Sequence, residues 1–408
     1  MNILIVTPHF YPENFRINDF ALEYVKWGHK VSVLTGTPDY PSRKFFKKYG
    51  FFKKNSENYK GIKIYRAPLI TRGSGSNFRL ALNYMTYVLG ALLTSLFLLK
   101  KKYDIIFVFE PSPITIGIPA IFIKKIKKIP ICFWVLDLWP ESVISAGNLK
   151  TSFIPKLLNP IVKFIYNNCD KILVSSNGFK SSIVEKGIDK DKIHFFPQWA
   201  ESLFKPVEKN YDLLPLEIPK DSFKIMFAGN IGEAQDFSSI LKAAKKLKNN
   251  KNIHWIIIGD GRRSNWVKAK IIDYKIQSTF HMLGRHDIEK MPEYYSLADA
   301  MLFTLKDELI FSLTIPAKVQ SYLACRKPIL AMINGEASKI IEENKTGYTC
   351  PAGDFDGLVQ NIIKISSLDK KELDELAENS LKCYQEFFER DMLLKKAEDI
   401  FFKMIKTS

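Results

Sequence analysis

Thiol pairing is missing from this 408-residue chain. Its five cysteines, Cys132, Cys169, Cys325, Cys350 and Cys383, are odd in number and contain no C-x-x-C spacing. Neither a disulfide framework nor a thiolate zinc site is indicated, and a reducing cytosol is the default compartment. A secretory leader is not visible either, because M-N-I-L-I-V-T at residues 1–7 is a short apolar run with no basic segment before it and no cleavage site after it. Acidic residues are scarce in one half only. Residues 1–200 carry 29 Lys and Arg against 13 Asp and Glu, whereas residues 201–408 carry 31 against 30, so nearly all of the net charge of +17 sits in the first half. That half is expected to meet an anionic partner: nucleic acid, an acidic membrane surface or a polyphosphate ligand.

Charge of either sign is absent from residues 80–99 (L-A-L-N-Y-M-T-Y-V-L-G-A-L-L-T-S-L-F-L-L), which follow Arg72 and Arg79 and precede Lys100, Lys101 and Lys102. The run is long enough to cross a bilayer. It also contains Asn83, Tyr84, Thr86, Tyr87, Gly90, Thr94 and Ser95. A buried or membrane-lying helix is therefore expected, with a true span as the alternative. Basic flanks on an apolar helix favour anionic lipid over nucleic acid. The aromatic-interleaved basic patches of a nucleic-acid groove are not evident, so no nucleic-acid partner is expected.

What is present is an alternation. Apolar runs at 3–6, 31–34, 62–65, 105–109, 131–135 and 172–175 read as strands, with helical patterns at 19–27, 80–99 and 155–167. A polar stretch at 201–222 with Pro206, Pro215 and Pro219 reads as a linker. The alternation restarts with strands at 224–228, 255–259, 279–283, 300–304 and 328–332 and helices at 237–246, 264–274, 291–296, 316–324 and 355–366, then ends in helices near 370–386 and 391–405. The expected fold class is α/β: two Rossmann-like doubly wound parallel-sheet domains over 1–200 and 223–385, an interdomain cleft, and a C-terminal helix at 386–408 packing back on the first domain.

One segment carries a chemical signal. Residues 315–330 read I-P-A-K-V-Q-S-Y-L-A-C-R-K-P-I-L. Pro316 suits the first helical position, where a missing N–H costs nothing, and the amides that follow form an anion site reinforced by the helix dipole, with Lys318 in the first turn. The alternative is a surface helix with a solvated lysine.

Together with G-H-K-V-S-V-L-T (28–35), F-A-G-N-I-G-E-A-Q (227–235), I-I-I-G-D-G (256–261), L-G-R (283–285), A-D-A and P-A-K-V-Q-S-Y-L-A, this segment resembles the retaining GT-B glycosyltransferases related to glycogen synthase. P-H-F-Y-P-E-N-F-R-I-N-D (8–19) and D-L-W-P-E-S (137–142) bring it nearest to the bacterial branch that adds amino-deoxyhexoses such as N-acetylfucosamine to lipid-linked O-antigen or capsule precursors. The resemblance implies a nucleotide-sugar donor, UDP-linked, held by the second domain. Gly229 would let the backbone approach the diphosphate, Arg285 and His286 would sit where the base meets main chain, and Lys318 would face the phosphates.

Two departures stand out. Relatives place Arg and Lys after the first strand of the second domain, where this chain has Asn230 and Gln235. Cationic charge is then expected from Lys318, Arg262, Arg263 or, on the other domain, Arg16. The family's two glutamates, which contact sugar and ribose, fall at Leu313 and Ser321. Gln320 or Ser321 is left to meet the ribose, and Asp307 or Glu308 the sugar.

The first domain is expected to bind the acceptor. Asp137 and Glu141 follow a buried strand and would emerge at the carboxyl edge of the sheet, placed to orient or deprotonate an acceptor hydroxyl. For Asp137 the alternative is a helix cap. Glu110, ending the preceding strand, and His9, following the first, are the other catalytic candidates, each with a structural alternative. The D-x-D pairs at 189–191 and 354–356 look like caps, so no metal and no cofactor beyond the nucleotide sugar are expected. The function implied is a retaining, metal-independent glycosyltransferase that moves a sugar to a polyprenyl-diphosphate-linked saccharide. It would be cytoplasmic and peripheral or monotopic on the inner face of the membrane, held there by residues 1–200 and the 80–99 helix. A nucleotide-sugar 2-epimerase on the same scaffold and a non-catalytic membrane scaffold are the alternatives.

Overall fold

The computed structural model describes residues 1–147 and 153–407. Its contacts divide the chain into two units, Met1–Phe196 with Leu394–Ser408, and Pro197–Leu393.

In the first unit the strands are β1 (Asn2–Val6), β2 (Lys30–Gly36), β3 (Ser56–Tyr59), β4 (Ile62–Ala67), β5 (Ile105–Glu110), β6 (Ile131–Val135), β7 (Lys171–Val174) and β8 (Ile193–Phe195). The helices are α1 (Arg16–Lys26), α2 (Asn77–Leu98), α3 (Gly117–Lys127), α4 (Glu141–Gly147), α5 (Phe153–Asn167) and α6 (Asn177–Glu185). The sheet order is β3-β4-β2-β1-β5-β6-β7-β8, parallel throughout except for the β3 edge. I-I-F-V-F-E in β5 and I-C-F-W-V in β6 are buried at every position, as central parallel strands covered on both faces must be.

The second unit contains β9 (Phe223–Ala228), β10 (Ile253–Ile258), β11 (Phe280–Gly284), β12 (Ala300–Thr304), β13 (Ile329–Met332) and β14 (Gly347–Cys350). Its helices are α7 (Phe237–Lys246), α8 (Ser264–Tyr274), α9 (Met291–Leu297), α10 (Leu309–Leu313), α11 (Ala317–Ala324), α12 (Glu336–Glu343), α13 (Phe355–Ser366) and α14 (Lys370–Phe387), before the C-terminal α15 (Arg390–Lys406). Here the order is β11-β10-β9-β12-β13-β14, all parallel. Residues of α15 from Leu394 onward belong to the first unit: the Tyr24 hydroxyl donates to the Leu394 carbonyl at 2.9 Å, and His29 Nε2 lies 2.7 Å from Glu398.

Each sheet reverses its winding once, between β1 and β5 and between β9 and β12. Open α/β sheets hold ligands outside the carboxyl ends of the strands at such a point. The topology alone therefore singles out the residues after β1 and β5 in the first unit, and after β9 and β12 in the second.

Helix α2 packs one face into the first unit. Tyr87 donates its hydroxyl to the Thr7 carbonyl at 3.2 Å, and a Cβ at Gly90 would clash with the Pro68 carbonyl. The opposite face leaves Met85, Leu89, Leu93 and Phe97 in an exposed row at four-residue spacing, with Phe78 and Leu96 beside it. Helix α3 packs beside α2 and α5 beside α3. They add exposed Ile126, Leu157, Ile161 and Phe164. Lys124, Lys125, Lys127 and Lys128 close α3 at its C-terminal end.

Candidate functional site

Helix α11 begins one residue later than its sequence suggests: Pro316 is the N-cap, in extended conformation, and Ala317 is the first helical residue. No side chain caps this end. Tyr322, one turn after Lys318, fixes the helix to the end of β9, its hydroxyl donating to the Ala228 carbonyl at 3.1 Å and accepting from the Ala228 amide at 3.3 Å. Lys318 therefore points at the β9 turn.

Its ammonium lies 4.3 Å from the Phe227 ring centre, is buried, and has no hydrogen-bond partner among the described residues. Burial alone pushes its pKa down to about 8. Gly229 has φ of +138°, and a Cβ there would lie 3.1 Å from the Lys318 nitrogen. A buried ammonium, a helix start with free amides and a glycine that clears space above both are the elements from which an anion site is built.

Several expected donor contacts are placed elsewhere. Gln320 is fully buried, and its carboxamide, oriented with the nitrogen donating, bonds the Pro316 and Ala317 carbonyls at 2.8 Å, so it braces the first turn of its own helix while leaving that turn's amides free. Ser321 is also buried. Gln235 accepts from the Gly232 amide at 3.1 Å and holds the loop after β9, with Asn230 3.5 Å from the same oxygen. Arg263 pairs with Glu233 at 2.9 Å and lies over the Trp266 ring. Lys306, which the sequence did not single out, pairs with Glu233 at 3.1 Å and reaches this loop from the end of β12. Arg262 and Arg285 are exposed, and His286 is anchored at 3.1 Å to the Leu283 carbonyl. Arg16 opens α1 in the first unit.

In the first unit the carboxylates regroup. Asp137 does not meet Glu141, whose carboxylate turns to α6, accepting from the Ser182 hydroxyl at 2.7 Å and pairing with Lys186. Asp137 meets Glu110 instead: the Asp137 amide donates to Glu110 Oε2 at 3.4 Å. Asp137 also accepts from the Trp139 indole at 3.3 Å, and it starts no helix as a cap. Glu110 is fully buried, one of its oxygens has no partner among the described residues, and burial followed by the charge of Asp137 raises its pKa well above the ordinary glutamate value. Burial also raises that of Asp137, more weakly. Of the two, Glu110 is pushed the more strongly toward its neutral form.

A neutral buried acid destabilises the fold as pH rises from its unfolded pKa, near 4.5, toward its raised folded one. Glu110→Gln, which keeps the shape and removes the titration, is therefore expected to melt higher than wild type at pH 7–8 and equally at pH 4. A denaturation series across that range checks it, and a variant less stable at every pH would contradict the assignment.

His9 is held on both nitrogens, Nδ1 at 2.9 Å from Glu13 and Nε2 at 2.8 Å from Arg72, with its ring stacked on Phe15. Both ring nitrogens of this catalytic candidate are thus engaged within the first unit. His9, Glu13 and Asp39 place donor atoms within 4.8 Å of one another, a spacing a cation accepts. Those groups are already engaged: Glu13 takes the Asp39 and Tyr40 amides, and Asp39 takes the Arg72 amide. The D-x-D pairs are caps, Asp189 accepting from the Asp191 amide and Asp354 from the Gly357 amide.

Comparisons with known proteins converge on this architecture. The family model "Glycosyltransferase Family 4" matches residues 15–199 and "Glycosyl transferases group 1" matches residues 214–382. The probable glycosyltransferase WbjE of Pseudomonas aeruginosa is 32% identical over 59% of this chain and 61% of its own length. The putative colanic acid biosynthesis glycosyl transferase WcaI of Escherichia coli (strain K12) is 24% identical over 64% and 66%. The chain thus spans less than two thirds of the length of these relatives. Anabaena HepE, solved in complex with UDP, superposes with a TM-score of 0.71 at 14% identity, over 99% of this chain and 100% of that one. With one glycosyltransferase model on each sheet in turn, the chain matches glycosyltransferase families over both of its units and has the GT-B fold.

Proposed function

We propose that this protein transfers a sugar of the N-acetylamino-deoxyhexose class from a UDP-linked donor to a polyprenyl-diphosphate-linked saccharide during O-antigen or capsule synthesis, with retention at the anomeric carbon and without a metal. The observation that carries the donor half is the unpaired Lys318 ammonium at the uncapped start of α11, beside Gly229. A diphosphate seated there gains the lysine charge, the helix amides and the dipole together. The same groups stabilise the charge that develops on the diphosphate as it leaves, which is the task a metal performs elsewhere.

The acceptor half rests on Asp137, whose backbone amide donates to the buried Glu110 and whose carboxylate accepts from the Trp139 indole. The membrane reading rests on the exposed apolar faces of α2, α3 and α5 beside lysines, in the half of the chain that holds nearly all the net charge. Such a protein works on the cytoplasmic face, where nucleotide sugars are made and lipid-linked acceptors are exposed. WcaI's name refers to colanic acid biosynthesis, and HepE structures contain UDP and UDP-glucose, which agrees with a UDP-sugar donor and a polysaccharide product.

The test is thermal stabilisation against a panel of nucleotide sugars. A UDP-sugar at 100 times its Kd should stabilise the protein by roughly 2.7 kcal/mol. Stabilisation by none of them would remove the donor site. Turnover of UDP-N-acetylhexosamine without acceptor would identify an epimerase instead.

A further inference from the structure

Between β2 and β3 runs a loop whose residues 43–54 read R-K-F-F-K-K-Y-G-F-F-K-K. It is a basic segment interleaved with aromatics, which the reading of the sequence as free of such patches overlooked. The six cations Arg43, Lys44, Lys47, Lys48, Lys53 and Lys54 are all exposed, and no carboxylate occurs from residue 40 to residue 56.

The base of this loop is tied down. The Arg43 amide donates to the Asp39 carbonyl at 2.7 Å, and the Phe46 amide to the Pro38 carbonyl at 3.3 Å. Phe45 and Phe46 are half-buried, and Tyr49 lies against the Arg66 guanidinium while its hydroxyl donates to Glu57 at 3.1 Å.

The tip differs in kind. Gly50 and Lys53 pair antiparallel, with the Lys53 amide donating to the Gly50 carbonyl at 3.1 Å, so Phe51 and Phe52 are the two central residues of a tight turn. They are 41% and 80% exposed and pack edge to face against each other with ring centres 4.7 Å apart. Two phenyl rings at the apex of a basic turn leave apolar area in water that has no partner among the described residues of the first unit. Lys54 pairs with Glu57 at 2.6 Å, whereas Lys44, Lys47, Lys48 and Lys53 make no ion pair among the described residues. The loop also abuts the start of α2: Arg43 Nη1 donates to the Ser74 carbonyl at 3.1 Å, and the Gly73 amide donates to the Arg43 carbonyl at the same distance. Exposed Phe78 lies just beyond.

We propose that the 43–54 loop is an anionic-lipid docking finger: Phe51 and Phe52 enter the headgroup layer while Lys44, Lys47, Lys48 and Lys53 face lipid phosphates. The inference rests on the membrane reading above and adds the element that selects for lipid charge. The occupant follows from complementarity, since an apolar tip ringed by four unpaired cations matches a surface that is apolar beneath a negative layer. Single-stranded nucleic acid, by contrast, needs separate aromatic faces spaced along a groove, whereas here the tip rings cover one another's edges and the other aromatics turn inward.

The test uses the full chain with extruded vesicles of phosphatidylcholine alone and of phosphatidylcholine with a third phosphatidylglycerol, read by co-sedimentation. Wild type should partition into the anionic vesicles. Each lysine near such a surface contributes about fivefold, so the Lys44→Gln/Lys47→Gln/Lys48→Gln/Lys53→Gln variant should partition at least about tenfold more weakly. Phe51→Ser/Phe52→Ser should lose a comparable factor. Both should keep the wild-type melting temperature and nucleotide affinity, because these side chains are exposed. Lys248→Gln/Lys268→Gln/Lys371→Gln/Lys382→Gln, on the second unit, should bind like wild type.

Loop variants that partition like wild type would overturn the finger and leave the membrane reading standing. An equal loss in the second-unit control would reduce it to bulk charge and overturn it as well. Binding of wild type to an oligonucleotide and not to vesicles would sink both.

Discussion

Replacing Lys318 by methionine is expected to weaken UDP binding roughly a hundredfold and, at the same time, to raise the melting temperature of the unliganded protein. Both effects come from one atom. The ammonium is buried without a partner, and burial draws its pKa from 10.5 to about 8. Holding it charged at neutral pH therefore costs the folded state of order 3 kcal/mol. A group whose folded pKa lies below its unfolded one destabilises most below the folded value, so the gain in the methionine variant should be full below pH 8 and shrink as pH rises toward 10.5.

Methionine fills similar volume over the Phe227 and Phe303 rings without that cost. Affinity falls because a charge-assisted contact to a buried diphosphate is worth about 1.5–3 kcal/mol. Calorimetric titration of UDP and a melting series from pH 6 to 10 measure the two sides. A methionine variant that binds UDP normally, or that melts below wild type, would mean that Lys318 is a core lysine with no ligand.

Asp137→Asn should lower kcat by about 10²- to 10⁴-fold while leaving UDP affinity unchanged. Asp137 lies on the first unit, at the carboxyl end of the sheet beside its switch point, whereas the nucleotide groups lie on the second. Burial holds its carboxyl above the ordinary aspartate range, so the acid limb of kcat/KM against pH should stand above that range and vanish in the asparagine variant. Glu110→Gln, which mimics the neutral carboxyl that burial favours, should retain most of the rate. If Glu110→Gln loses as much kcat as Asp137→Asn, the division of roles within the pair is wrong.

The central strands were legible because both their faces are buried: I-I-F-V-F-E and I-C-F-W-V can hardly be anything else. Helix α3 was hidden, since G-I-P-A-I-F-I opens with two helix-breaking residue types and reads like a strand, and β14 is too short to show a period. At the site, the lysine one turn into a Pro-led helix was visible, but its burial was not, because the rings of Phe227 and Phe303 that cover it come from other strands.

Glu141 misled for the same reason in reverse. Its partner Lys186 lies 45 residues on, and only the packing of α6 brings the two together. Gln320 looked like a ribose ligand because residue type reports hydrogen-bonding capacity and says nothing of direction. Its amide serves its own helix start. The Glu110–Asp137 contact joins the ends of adjacent strands β5 and β6, a pairing set by strand order, which no local pattern encodes.

The measurement that bears most directly on the central claim is transfer itself. Membranes containing polyprenyl-diphosphate saccharides are incubated with purified protein and radiolabelled UDP-N-acetylamino-deoxyhexoses, and the solvent-extractable lipid fraction is counted. Label should appear there from at least one donor, undiminished by chelator and abolished by Lys318→Met and by Asp137→Asn. Label that stays wholly in the nucleotide or water-soluble fraction for every donor, or transfer that survives both substitutions, would contradict the account.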